Sequence, residues 1–258
     1  MSLERDAGGL RLDVVGAGPA YTDRPGATGA AYLIRHDSTA ILLDLGQGAF
    51  PRLAGLIDPA TLDAILVSHL HPDHFIDLVP LRHFLRWGPK HPRRVRVAGP
   101  PGLMDRIDAL HADTGFSAAA LDIEPLDPGT MRFGSIAVEV ARVTHSADSF
   151  GFRVSIDDGP GLVYSGDCGR AEDLDPLIRV GDALLCEVSF GPGPVPRDAA
   201  HLDGPAVGSR ASRTGAGQVL LTHLLMGFDE DETVASVHAG FGGPVVLVAP
   251  GDTFRIGT

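Results

Sequence analysis

Two cysteines in 258 residues, Cys168 and Cys186, are too few for a disulfide framework. No apolar stretch is long enough to span a bilayer, and the first residues show no basic segment followed by an apolar one. The expectation is therefore a cytoplasmic chain with no membrane partner. Basic runs are also missing. The longest is Arg93-Arg94 and the formal net charge is −12, so nucleic acid is not an expected partner. The acidity does not exclude a small anionic substrate, because bound divalent cations would dominate the field inside a site.

What is present is ordinary for a globular chain: 44% hydrophobic and 21% charged residues are enough to bury a core. The 33 glycines and 20 prolines are dispersed, which indicates many short loops and not a disordered tract. Apolar runs bounded by turn residues predict strands at 10–15, 31–35, 40–43, 95–98, 135–143, 150–156, 161–164, 183–188, 219–221 and 245–248. A further apolar run at 64–67 leads into the central motif. Helical patterns fall at 49–56, 79–87, 102–114, 171–179, 203–213 and 231–239. No linker or short-period repeat interrupts them. Strands and helices in this alternation fit a single layered α/β domain over residues 1–258.

The densest chemistry is Ser68-His69-Leu70-His71-Pro72-Asp73-His74, which places four metal-competent side chains at one strand end. In a tight turn leaving a strand, His69 and His71 project to the same side and can share one ion. Asp73 and His74 open the following helix, diverge by about a quarter turn, and can reach a second ion. A plain strand-to-helix loop with Asp73 as its N-cap would account for one of the four residues.

Later strand ends deliver the same residue types: His145 after 135–143, Asp167 after Ser165-Gly166, and His223 after 219–221. Each alone is unremarkable. Seven nitrogen and oxygen donors in loops leaving strands suit a pair of borderline divalent ions bridged by a shared carboxylate. Asp44, ending 40–43, reads equally well as a group orienting a ligand histidine or as a turn aspartate. Gly16-x-Gly18 is followed by Pro19 and opens no helix, so it is a loop at the mouth of the site and not a dinucleotide fingerprint. His36, His83, His91, His111 and His238 have no such company and read as ordinary.

These motifs, in this order and over almost the whole chain, resemble the metallo-β-lactamase superfamily, and within it the ribonuclease Z and phosphodiesterase branch. The resemblance implies a four-layer αβ/βα sandwich and two divalent ions, zinc first, with manganese or iron as chemical alternatives. It implies ligation of one ion by His69, His71 and His145 and of the other by Asp73, His74 and His223, with Asp167 as the bridge. Cys168 lies one residue from the position of a zinc-binding Cys in true β-lactamases and reads as a neighbour. Cys186-Glu187-Val188-Ser189-Phe190 and His201-Leu202-Asp203 are similar to that branch's segments. They imply that His201 contacts the scissile phosphate or protonates the leaving oxygen, with Glu187 holding its proton; the alternative is a strand-end carboxylate and a surface histidine. Asp73 is also expected to orient the attacking hydroxide that bridges the ions.

The chain departs from ribonuclease Z in one place. Only 22 positions separate His145 from Asp167, too few for that family's tRNA-gripping arm. The expected substrate is therefore a small phosphodiester such as a cyclic nucleotide, and tRNA 3'-processing is disfavoured. A lactone, thioester or carboxylic ester hydrolase would use the same hydroxide and stands as the alternative. A homodimer is a further expectation from the branch. Loops 18–28, 84–91 and 190–200 are the expected pocket walls.

Overall fold

The computed structural model describes residues 8–88 and 93–257. In chain order the elements are β1 (Leu10–Gly16), β2 (Ala31–His36), β3 (Thr39–Leu43), α1 (Phe50–Leu56), β4 (Ala64–Leu66), α2 (Pro72–Phe75), α3 (Leu78–Trp87), β5 (Val95–Gly99) and α4 (Leu103–His111). There follow β6 (Leu121–Pro125), β7 (Gly129–Phe133), β8 (Ile136–Arg142), β9 (Phe150–Ser155), β10 (Leu162–Tyr164), β11 (Ala183–Glu187), α5 (Gly204–Thr214), β12 (Gln218–Thr222), α6 (Glu230–His238), β13 (Val245–Leu247) and β14 (Thr253–Ile256).

Strand alternation decides the layers. In β2, Tyr32 and Ile34 join one buried cluster while Ala31 and Leu33 join another; in β4, Ala64 and Leu66 separate from Ile65 in the same way. The first cluster lies between two seven-stranded sheets, where Tyr32, Ile41 and Leu43 share a core with Phe150, Phe152 and Tyr164. The second places Leu33, Leu42 and Val97 under Leu81 and Leu85 of α3 and Ile107 of α4. The third places Leu184, Val219 and Leu221 under Val207 of α5 and Val237 of α6. This gives helix, sheet, sheet, helix, the four-layer arrangement expected above.

The sheets run β14-β1-β2-β3-β4-β5-β6 and β7-β8-β9-β10-β11-β12-β13. In both, the first three pairings are antiparallel and the last three parallel. The two halves are thus one topology used twice, which no sequence periodicity betrays. In consequence β3, β4, β8, β10, β11 and β12 all finish at the edge that carries the site.

Three edge strands escaped the pattern reading. β6, β7 and β14 are largely solvent-facing, so they lack an apolar run, and β6 ends on Pro125. The helix expected at 171–179 is a correction: only a 3-10 turn, Ala171–Leu174, forms there. Pro176 has no N–H to bond into a helical turn, and the Asp175 carboxylate is used by Arg210.

Candidate metal centre

The turn after β4 and the one-turn helix α2 bring His69, His71, Asp73 and His74 to the sheet edge, with His71 as the N-cap and Pro72 in the first turn of α2. Asp73 caps nothing, so the plain loop reading does not hold. His145 leaves β8, Asp167 leaves β10 and His223 leaves β12. The donor atoms of His69, His71, His145 and Asp167 lie within 4.8 Å of one another, as do those of Asp73, His74 and His223. All seven residues singled out from the sequence as ligands therefore converge in two groups.

The hydrogen-bond network dictates where the imidazole lone pairs point. Asp44 is fully buried, and its Oδ2 accepts from Ser68 Oγ at 2.7 Å, Tyr164 OH at 2.7 Å and His74 Nδ1 at 2.7 Å, while Oδ1 accepts from Ser68 N at 2.6 Å. His74 must carry its proton on Nδ1, leaving Nε2 as a lone pair. Ser68 Oγ has spent its proton on Asp44, so it accepts from His69 Nδ1 at 3.1 Å, and His69 Nε2 is also a lone pair. His145 donates Nδ1–H to the Ala200 carbonyl at 2.8 Å. His223 donates Nδ1–H to Ser189 Oγ at 3.0 Å, because that hydroxyl gives its own proton to Glu187. In their neutral forms these four imidazoles would present Nε2 acceptors to one small volume.

With both imidazoles neutral, His74 Nε2 and His223 Nε2 face each other as acceptors, which a cation between them would relieve, whereas His71 Nδ1–H can donate to His145 Nε2. His74 Nε2 and His223 Nε2 are 3.4 Å apart, and His145 Nε2 lies 3.0 Å from His71 Nδ1. Asp167 sits in the middle: its Oδ2 is 3.6 Å from both His69 Nε2 and His145 Nε2, and its Oδ1 is 3.3 Å from His74 Nε2 and 3.5 Å from His223 Nε2. Asp73 Oδ2 lies 3.2 Å from His223 Nε2. His69 Nε2 and Asp167 Oδ1 are buried with no hydrogen-bond partner. Such orphaned groups cost stability unless something else satisfies them, and a hard or borderline divalent ion in each group of donors would do so.

The electrostatics have the same origin. Burial pushes the His69 and His71 imidazolium pKa down, favouring the neutral ligand form. Burial pushes His74 down too, but Asp167 and Asp44 outweigh it and leave the pKa well above the ordinary value. Burial would raise the Asp167 carboxyl, yet His223 and His74 hold it well below the usual range. Asp44 and His223 both adopt left-handed backbone, φ +59° and +62°, a conformation non-glycine residues hold only where the surroundings impose it.

Beside the ligands stands His201, half-buried before α5. Its Nδ1 is 2.9 Å from Glu187 Oε1 and 3.2 Å from Ser189 Oγ, and its ring meets that of His145 at a centroid distance of 4.7 Å. Burial lowers its pKa, but the hydrogen bond and charge of Glu187 raise it above the ordinary histidine value. Glu187 is fully buried and also accepts from Cys168 N and Ser189 N, so its position is fixed by the backbone. A donor atom of His201 also lies within 4.8 Å of Asp167 and His223. The Cys168 thiol donates to the Arg170 carbonyl, and burial pushes its pKa up to about 12, so it stays a neutral neighbour.

Of the expected walls, 18–28 lines a cavity of about 290 Å³ with Leu224 and residues 247–250. Residues 195 and 199 line another, of about 350 Å³. Of loop 84–91, residues 84–88 line neither, and residues 89–91, His91 included, lie outside the described residues. Gly16-x-Gly18 packs on the His223 strand, where the Ala17 carbonyl accepts His223 N at 2.9 Å. The sequence reading missed Ser68, Tyr164, Ser189 and the Ala200 carbonyl, all of which position ligands. Hydroxyls and carbonyls carry no spacing signature, and only their neighbours in the His69 and Glu187 motifs could have pointed to them.

Two stacked mixed sheets with a histidine and carboxylate nest at their common edge define a metal-dependent hydrolase. A sequence profile of the β-lactamase superfamily domain matches residues 40–224. The chain belongs to that superfamily, in its metallohydrolase form. It is 30% identical over 254 residues to an uncharacterized protein of Mycobacterium leprae, covering 96% of this chain and 89% of that one. It is 28% identical over 270 residues to the ribonuclease Z of Mycobacterium marinum, covering 92% and 95%. The fold matches the crystal structure of the metallo-β-lactamase fold protein YhfI from Bacillus subtilis, with TM-score 0.85, 22% identity, and 96% and 99% of the two chains covered. Among the described residues no helix is long and apolar enough to cross a membrane.

Proposed function

We propose that this chain is a dinuclear metal-dependent phosphodiesterase that cleaves a small phosphodiester, with a cyclic nucleotide as the leading substrate class. The carrying observation is the Asp167 carboxylate, each of whose oxygens faces a different group of imidazole nitrogens while one of them has no other partner. His69, His71 and His145 would hold one ion and Asp73, His74 and His223 the other, with zinc favoured by the imidazole-rich set. When bound, a pair of divalent ions supplies Lewis acidity at the phosphoryl oxygens and lowers the pKa of water.

The chain's own residues supply the rest. Asp73 accepts a hydrogen bond from the attacking water and aligns it with phosphorus. His201 donates its Nε2 proton to the departing alkoxide as the phosphorus–oxygen bond to it breaks. Glu187 favours the protonated form of that imidazole, and proton donation of this kind generally contributes about 10²–10⁴ in rate. A small substrate is supported by the short His145–Asp167 connection, which is filled by β9 and β10, and by the net charge of −12.

The test is hydrolysis of bis(p-nitrophenyl) phosphate and cyclic AMP by metal-quantified protein, with His201→Ala alongside. Turnover of either, lowered at least a hundredfold in the variant at unchanged metal content, supports the reading. Two bound ions with both diesters inert, and a lactone or thioester turned over, would replace it with a carbon-ester hydrolase.

A further inference from the structure

We propose that the cavity behind His201 receives a second anionic group, a phosphate or carboxylate carried on the leaving-group side of the scissile bond. This rests on the phosphodiesterase reading and narrows its substrate to diesters whose departing alcohol is itself charged. The cavity, about 350 Å³, lies between the turn at 169–172, the segment 195–203 and α5. His201 forms part of its wall, and the same imidazole has a donor atom within 4.8 Å of Asp167 and His223. His201 thus borders both the candidate metal centre and the cavity.

The lining is unusual for a chain of net charge −12: Arg170, Arg210 and Arg213 all contribute. Arg210 is only 9% exposed, and its terminal nitrogens are taken by Asp175 at 2.9 Å and by Glu172. Its Nε is buried with no hydrogen-bond partner. The Arg210 guanidinium adds positive charge to the wall without a free terminal nitrogen. Arg170 and Arg213 are exposed, and neither is in an ion pair among the described residues. Of the acidic groups nearby, Glu172 and Asp175 are engaged by Arg210, and Asp203 accepts Ala206 N at 3.0 Å as the cap of α5. Arg170 acts on Glu172 only through its charge, and Arg213 is in no ion pair among the described residues, so both guanidinium groups keep free N–H donors at the rim, and the volume suits a phosphate or carboxylate a few bonds from the leaving oxygen.

The experiment compares methyl 4-nitrophenyl phosphate with methyl 5-carboxy-2-nitrophenyl phosphate, both of which release a coloured nitrophenolate. The zinc-loaded wild type is set beside the Arg170→Gln/Arg213→Gln double variant, with circular dichroism and metal content checking that the variant is folded and loaded. The ratio of kcat/KM for the carboxylated over the plain diester is expected to fall about tenfold in the double variant. An unchanged ratio overturns the subsite while leaving the phosphodiesterase reading standing. Should two-ion protein cleave neither diester, that reading fails, and equilibrium dialysis with 3-hydroxy-4-nitrobenzoate decides the subsite separately. Binding about tenfold tighter to the wild type than to the double variant supports it, and equal binding overturns it.

Discussion

At the scale of single residues, the centre is organised by two buried carboxylates that touch no substrate. Asp44 and Glu187 each take a serine proton, and each serine then fixes a histidine: Ser68 fixes His69, and Ser189 fixes His223. Asp44→Asn keeps the shape but presents an amide donor where only acceptors work, against Ser68, Tyr164 and His74. Divalent-ion affinity, measured by chelator competition, should fall about 10–100-fold, as for other groups that orient ligand histidines. Glu187→Gln removes the charge that raises the His201 pKa. In the proposed mechanism His201 acts in its protonated form, so activity is lost as pH rises through that pKa. The alkaline limb of kcat should therefore move to lower pH in the variant. A lowered rate with an unmoved limb would mean that Glu187 acts through Ser189 and His223 alone. The seven residues that converge were legible in the sequence because they fall at strand ends in short motifs. The serines, Tyr164 and the Ala200 carbonyl were not, because their partners lie as far as 120 positions away in the chain.

At the scale of elements, the centre depends on how tightly the turn after β3 passes α2. A Cβ at Gly46 would sit 1.8 Å from the Asp73 carbonyl oxygen, so α2 must move if that glycine is replaced. Gly46→Ala should release the ion proposed to lie at Asp73, His74 and His223, and lower activity at least tenfold. Retention of both ions would show that α2 can shift without moving Asp73. Buried elements were readable from apolar periodicity, as with β2, β3 and β9. The exposed edge strands β6, β7 and β14 were not, because strands that face water on one side and end a sheet need no apolar run. The helix expected at 171–179 failed because Pro176 brings no N–H to a helical turn there.

At the scale of the whole molecule, two sheets of one topology close on each other, and the strand that completes the first, β14, comes from the end of the chain. Its attachment to β1 is pinned by Asp13, which is 3% exposed and bonded to Arg11, Arg35 and Thr253. Burial would raise the Asp13 carboxyl, but these hydrogen bonds outweigh it and hold the pKa below its ordinary 3.8. The contribution is thus fully present above that value and is lost as pH falls through the lower folded one. Both guanidinium groups are about a third exposed, so Asp13→Asn should cost only about 1 kcal/mol in urea unfolding at neutral pH. The difference from wild type should shrink below about pH 3.8. The repeat of topology was invisible in the sequence because the two halves share strand order and pairing sense but no residue pattern.

The bridging carboxylate is the feature on which the rest depends. Metal content per chain, measured by atomic emission after dialysis against zinc, reads it directly with Asp167→Ala beside the wild type. Two equivalents in the wild type, and one or fewer in the variant, are the expected result. A single equivalent in the wild type, or two retained in Asp167→Ala, would contradict a dinuclear centre bridged at this position.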